Sequence, residues 1–383
     1  MSSTATEAAG RVRRAVADAA AGLVEREALV EMVLLAAVAQ EHLLVIGPPG
    51  TAKSEAVRRV SRALGGRYFE YLLGRFTEPS EIFGPVDLRR LREGVVETAT
   101  AGMLPEAEVA FLDEVFQGST AILNTLLGLL NERQFVRGHT RVACPLRVCV
   151  GASNALPEDP SLAAFADRFL LRAYVASLPD PRLDELLAGG WEAGRRTAAP
   201  PAASLSDVDA LVEASRSMDP SAVRGRLADA IRALRGAGVA LSDRRAVKMQ
   251  RLMTAAAALA GRSAPTTADL WTVVLAVPTP DEQATAREVL REMLADSGNP
   301  ALATLAEEAS AGPTARAARL AHVATALLGS RPAAGDETES RSWRLRLEGV
   351  AREVDASFLP DKLPPDLRAL RERIIVEVTG GRA

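Results

Sequence analysis

Apolar residues recur at helical spacing from about Glu27 to Ala39, and the chain then closes into a bare apolar run, Leu43-Leu44-Val45-Ile46, that stops at Gly47. The first pattern predicts a helix and the second a buried strand. A helix is expected from Lys53 to about Leu64, a second buried strand at Val109-Ala110-Phe111-Leu112, a helix from Thr120 to Glu132, and a third strand from Arg147 to Gly151. Bare strands separated by helices predict a parallel sheet covered on both faces, an α/β fold.

Two stretches break that rhythm. Asp87 to Thr100, with Gly94 between alternating flanks, reads as a β-hairpin, and Phe135 to Val142, turning at Arg137-Gly138-His139, reads as another. Ala188 to Ser204 has the Gly/Pro/Ala composition of a linker. Beyond it the pattern is helical: Leu205 to Met218, Pro220 to Leu234, Ser242 to Gly261 and Thr266 to Ala276. Further Ala-rich amphipathic helices follow Pro278, broken by a polar loop from Arg331 to Arg341.

A chain of 383 residues with 48% apolar content can bury a sizeable core and predicts two or three domains. A net charge of −3 argues against a dedicated nucleic-acid coat or a binder of anionic membranes. Lysine occurs only at Lys53, Lys248 and Lys362, so positive charge is almost all arginine. Cys144 and Cys149 have no disulfide or metal-ligand spacing and read as buried strand residues in a reducing cytosol, and the histidines are scattered. No run approaches a membrane span, which predicts a soluble, cytoplasmic protein.

Candidate chemistry begins directly after the first strand. Gly47, Pro48, Pro49, Gly50, Thr51, Ala52, Lys53 and Ser54 lie between a buried strand and a helix, where backbone N–H groups form a nest for a phosphate. These residues and Glu55 are the candidate nucleotide-binding set. Lys53 would neutralise β/γ oxygens and Ser54 would ligate Mg²⁺. The strict pattern has glycine before the lysine; Ala52 stands at a helix start, where alanine is expected to be acceptable. A Gly/Pro turn that merely starts a helix is the alternative. Asp113-Glu114 ends the second strand, which suits Asp113 to a Mg²⁺ site and Glu114 to orienting and deprotonating water; an acidic helix start is the alternative. Asn154, at the end of the third strand, could reach the γ-phosphate or the lytic water, or be a simple turn residue.

Two basic positions are read differently. Arg168, in Ala166-Asp167-Arg168-Phe169, sits at a rim far from its own phosphate loop and suits a role in a neighbouring subunit's site, unless it merely pairs with Asp167 or Glu158. Ser242 or Asp243 looks like an N-cap, which places Arg244 in a first helical turn. Arg244, Lys248 and Arg251 then share one face at a local electrostatic cost that an anion would explain, a solvated basic face being the alternative.

Together these residues resemble the AAA+ ATPases, specifically the MoxR branch and its RavA-like group. The stretches that carry the resemblance are GPPGTAKS, FEYLLGRFTEPSEIFGP, LPEAEVAFLDEVF, AILNTLLGLLNERQF, GASNALPE, ADRFLLR and LSDRR, covering roughly Glu27 to Gly261. The resemblance implies a P-loop sheet domain over residues 1–190 with hairpin inserts, a helical lid over 191–280 and a C-terminal helical region over 281–383. It implies that Gly47 to Ser54 is the Walker A loop, Asp113 and Glu114 are Walker B, and Asn154 is sensor 1. Arg168 resembles the trans-acting arginine finger and Arg244 sensor 2. It further implies ATP and Mg²⁺, a homo-hexameric ring, a partner with a von Willebrand factor A domain and a protein client. The space where RavA carries its small decarboxylase-binding domain is at most the loop from Arg331 to Arg341, so that partner is not implied.

Two rivals from other classes stand beside this ATPase. A nucleotide-dependent scaffold would bind ATP and hardly turn it over. A DNA-remodelling motor is disfavoured by hairpin tips with few bases and no aromatic stacking platform.

Overall fold

The computed structural model describes residues 3–178, 183–193, 201–311, 313–332, 337–358 and 363–379. Two helices, α1 (Ser3–Ala20) and α2 (Glu27–Ala39), precede the first strand, β1 (Leu43–Ile46). The chain continues through α3 (Lys53–Ala63), β2 (Tyr68–Leu72), the short α4 (Pro79–Phe83) and α5 (Leu88–Arg92), β3 (Val109–Asp113), α6 (Thr120–Glu132), β4 (Gln134–Arg137), β5 (Thr140–Ala143), β6 (Val148–Ser153), α7 (Pro160–Ala166) and β7 (Leu171–Tyr174). The main sheet has five strands in the order β2-β3-β6-β1-β7, all parallel. Its central strands are wholly buried, as their apolar runs require.

The α/β expectation is met, with two strands that the sequence pattern did not mark. At the edge, β2 alternates half-buried and exposed positions and so never shows a bare apolar run. The other, β7, carries Arg172, which is buried in the folded chain.

Of the two expected hairpins, the second forms: β4 and β5 pair antiparallel around Gly138, whose φ of +60 favours glycine. The first does not. Asp87 caps a helix there, accepting from the backbone N–H of Arg89 and Arg90 at 2.8 and 3.2 Å, and Arg90 pairs with Glu93 and Glu97. Only a single bridge, Val86 to Thr98, keeps the strand character, because the capped turn satisfies its backbone locally. The segment docks on the hairpin, where His139 N–H donates to Val96 O at 3.0 Å.

After β7 come α8 (Leu183–Ala193), α9 (Leu205–Ser217), α10 (Ser221–Gly236) and α11 (Asp243–Leu259). The expected linker is therefore helical as far as Ala193, and residues 194–200 lie outside the described set. The helix expected from Thr266 to Ala276 is split into a 3₁₀ turn at Thr267–Asp269 and α12 (Thr272–Leu275), since Asp269 ties back to the Thr266 N–H and to Arg262. Then follow α13 (Pro280–Val289), α14 (Arg291–Leu294), α15 (Ala303–Ser310), α16 (Pro313–Gly329), α17 (Glu337–Ser357) and α18 (Pro365–Thr379). The loop expected from Arg331 to Arg341 is thus already helical at Glu337, and 333–336 fall outside the described residues.

The α2 face of the sheet shares one apolar core with α1, α9, α11 and α15, so the helical region is seated directly on the α/β layer. A second core fills the opposite face under α6, and α16, α17 and α18 keep a core of their own. Both cysteines are buried and free, and burial pushes Cys144 up to about 11 and Cys149 to about 12. Cys149 lies in β6 as expected, whereas Cys144 lies just beyond β5. Among the described residues no helix is long and apolar enough to cross a membrane, and no group of His, Cys, Asp and Glu is arranged to hold a metal by itself.

Candidate functional site

Parallel pairing puts the ends of β1, β6 and β3 on one edge of the sheet. Ile46 is level with Ser153, and Leu112 with Gly151. Gly47, Asn154 and Asp113 therefore emerge together, with β6 between the other two strands and about 10 Å from the end of β1 to that of β3. This is the edge at which open parallel sheets bind ligands.

The loop after β1 is built on glycine where space demands it. A Cβ on Gly47 would stand 2.2 Å from the Val175 carbonyl oxygen, so only glycine lets the chain leave β1 this close to the end of β7. Gly47 N–H donates to Ser153 O at 3.1 Å, and Thr51 Oγ1 donates to Pro48 O at 2.9 Å. Gly50 has φ of +78, while Pro48, Pro49 and Gly50 are exposed.

Ala52 departs from expectation. It is the N-cap of α3 at φ 59 and ψ 26, in the left-handed region rather than a relaxed helix start. An L side chain there costs roughly 1–2 kcal/mol. Alanine is accommodated, but strained.

Lys53 is buried, and its Nζ donates to Gly47 O at 2.7 Å and Pro48 O at 2.9 Å. Burial holds its pKa below the usual lysine range, while the charges of Asp113 and Glu114 oppose that shift. Because Gly47 and Asp113 leave the same sheet edge, the ammonium and the two carboxylates lie toward a common space. Among the described residues the N–H groups of Gly50 through Ser54 have no backbone acceptor, as expected at a helix start. An exposed loop with free N–H donors beside a buried ammonium fits a polyphosphate. Ser54 is half-buried in the first turn of α3, and Glu55 pairs with Arg58 and Arg59, both at 2.8 Å.

At the end of β3, Asp113 Oδ1 accepts the Glu114 N–H at 3.0 Å. Glu114 takes φ 49, an unfavourable conformation for a glutamate, which aims its side chain across β6. Its Oε1 accepts from Asn154 Nδ2 at 2.6 Å. Glu114 and Asn154, forty residues apart in sequence, are thus brought into contact.

Arg168 makes no ion pair among the described residues, and its buried Nε has no partner. The carboxylate next to it, Asp167, pairs instead with Arg245 at 2.6 Å. Arg244 is exposed in the first turn of α11, whose N-cap is Ser242. The unscreened basic face expected around it is not present: Lys248 and Arg251 both pair with the buried Glu41, at 2.5 and 3.0 Å. The chain's own carboxylate removes the need for an anion at those two positions.

Residues 10–213, more than half of the chain, match the sequence model of the MoxR domain in the MoxR-vWA-beta-propeller ternary systems. The chain belongs to the MoxR family of AAA+ ATPases. It is 35% identical over 240 residues to each of two uncharacterised proteins of Methanocaldococcus jannaschii, covering 62% of this chain and 62–63% of theirs. Chaperone MoxR1 of Mycobacterium tuberculosis is 28% identical over 174 residues, 44% of this chain and 45% of that one. The chain thus spans less than two thirds of these relatives' lengths. A crystal structure of an ATPase candidate from Cytophaga hutchinsonii superposes with a TM-score of 0.63 at 15% identity, covering 76% of this chain and 95% of that one, a likeness of fold.

One residue of this MoxR chain escaped sequence reasoning altogether. Arg26 is 7% exposed and bonds Thr51 O and Ala176 O, both at 2.8 Å, so it staples the phosphate-loop candidate to the end of β7. A lone arginine between Glu25 and Glu27 carries no local signal of that role. On its far side lies a cavity of about 1210 Å³ bounded by α1, β7, α13, α15 and the C-terminal bundle; it shares Arg26 with the candidate site, but none of residues 47–55 lines it.

Proposed function

We propose that this MoxR protein hydrolyses ATP with Mg²⁺ at the C-terminal edge of its sheet. The convergence of the Lys53 ammonium with Asp113, Glu114 and Asn154 at one strand edge carries this reading. A bound MgATP supplies the phosphoanhydride and the cation that screens it. The loop N–H groups and Lys53 would hold the phosphate oxygens, and Ser54 and Asp113 would hold the metal or its waters. Asn154 fixes one oxygen of Glu114 and leaves Oε2 to take the proton of the attacking water.

Arg168, which no carboxylate among the described residues engages, would complete the site of the next subunit, as in a homo-hexameric ring, with Arg244 reading the chain's own nucleotide from the helical lid, 191–280. A guanidinium supplied in trans typically contributes about 10³–10⁵ in rate. The family's naming for ternary systems supports a von Willebrand factor A domain partner, and kinship with a chaperone supports a protein client. The RavA-like placement rests on the motif stretches alone, and a cytoplasmic setting rests on family kinship.

Turnover and binding measured together test the reading. Glu114→Gln should lower hydrolysis by about 10²–10⁴ while ATP stays bound. Wild-type turnover by this variant would remove Glu114 from the chemistry, and a wild-type chain that binds ATP without turnover would favour the scaffold.

A further inference from the structure

Arg245 follows Arg244 in the sequence but points the opposite way, into the protein, with 1% exposure. Its guanidinium donates to Asp167 Oδ1 at 2.6 Å, Leu170 O at 2.8 Å, Phe169 O at 3.0 Å and Ala276 O at 2.7 Å. Three of these acceptors bracket Arg168. These bonds use four of the five N–H groups of a planar guanidinium, and a lysine ammonium with three could not reproduce them.

The loop is otherwise held by Phe169. That ring is fully buried, packs edge-on to Phe165 at 5.7 Å, and lies 3.0 Å from where a Cβ on Gly151 would stand. The side chain of Arg168 has no hydrogen-bond partner for its buried Nε among the described residues, so its direction follows from the backbone at 167–170. Arg172 lies in the same pocket of charge, 4% exposed, with Nε and Nη1 unpartnered and one bond to Ala166 O. Asp167 is the only carboxylate hydrogen-bonded to this arginine cluster among the described residues. Displacing Arg245 would leave Asp167 without its ion pair and the loop carbonyls of Phe169 and Leu170 without their donor.

We infer that Arg245 is the positioning residue for Arg168, tying the guanidinium offered to the neighbouring subunit to the lid helix whose preceding residue, Arg244, faces the chain's own nucleotide. A tilt of α11 on nucleotide exchange is then transmitted to the loop through three hydrogen bonds, the fourth holding Arg245 to Ala276 O within the helical region. Adjacent arginines on one helical turn serve two different sites. The inference rests on the proposed sharing of sites between subunits and adds the device that orients the donated group.

Mixed rings separate the possibilities. Arg245→Lys alone should lower turnover about 10²-fold, the scale of a misplaced catalytic group, with the Kd for ATP unchanged. Mixed with Glu114→Gln subunits, which carry an intact Arg168, the variant's own sites should regain activity. Mixed with Arg168→Ala subunits it should not, because no subunit then presents a positioned guanidinium. The reverse pattern, recovery only with Arg168→Ala, would assign Arg245 to its own chain's site and overturn the inference, as would recovery in neither mixture. Arg168→Ala mixed with Glu114→Gln is the control: if that pair recovers no activity, the shared-site reading itself fails and the inference with it. Should Arg245→Lys fail to assemble, Asp167→Asn is read in the same two mixtures with the same expected pattern.

Discussion

Replacing Ala52 by glycine isolates a cost that the loop carries in its backbone. Ala52 sits at φ 59 and ψ 26, is exposed, and is followed directly by the buried Lys53. A non-glycine residue in this region loses roughly 1–2 kcal/mol, while glycine loses about 0.5–1 kcal/mol of additional chain entropy on folding. The difference leaves Ala52→Gly more stable by about 0.5–1 kcal/mol. For a chain of this size that is a rise of about 1–3 °C in Tm. Calorimetry with and without MgATP reads it, and the Kd for ATP should move by less than about twofold, since the loop keeps its dihedral angles in either state. Ala52→Val, β-branched in the same conformation, should fall below the wild type. A glycine variant melting at or below the wild-type temperature would refute the claim that the loop is strained here.

Burial pushes the Glu31 carboxyl up to about 8, although it accepts the Leu305 N–H at 2.7 Å, and pushes Glu308 up to about 7. Between the ordinary carboxylate range and those values the folded chain holds protons that the unfolded chain has released. Stability should therefore fall from pH 5 to about pH 7 through both groups and on to about pH 8 through Glu31 alone, at up to about 1.4 kcal/mol per pH unit for each group. Glu31→Gln should flatten that decline and exceed the wild type at pH 8 in denaturant midpoints; a variant that keeps the full slope would count against it. Lys248→Met leaves Glu41, 1% exposed, with only Arg251, and should cost about 2 kcal/mol in a denaturant titration. An unchanged midpoint would show that Arg251 alone compensates the carboxylate.

The parts of this molecule that were legible in the sequence are those fixed by local patterns. Leu43–Ile46 and residues 109–112 are bare apolar runs because both sheet faces are covered, and α2 and α6 begin and end where their periodicity places them. Gly47 to Ser54 could be recognised because a phosphate nest needs a strand, a glycine-rich turn and a helix start in that order. The edge strand Tyr68–Leu72 could not, since half of it faces solvent, and Asp87 turned an alternating segment into a capped helix.

Contacts between distant parts of the chain left no mark at all. Arg26 reaches the Thr51 carbonyl, Glu41 reaches Lys248 and Arg251, and Arg245 reaches Asp167, each across a separation in sequence that no local pattern bridges. The expected anion beside Arg244 was a fair reading of charge along one helix face. It failed at Lys248 and Arg251 because the balancing carboxylate is more than two hundred residues away.

In the proposed site, one sheet edge grips the polyphosphate through the buried Lys53 ammonium. Calorimetric titration of MgATP into Lys53→Met measures that grip. The loss of a charge-assisted contact to phosphate should weaken binding by about 10-fold to 10²-fold, in a variant that still melts cooperatively without nucleotide. Affinity equal to the wild type would place the nucleotide elsewhere on the molecule.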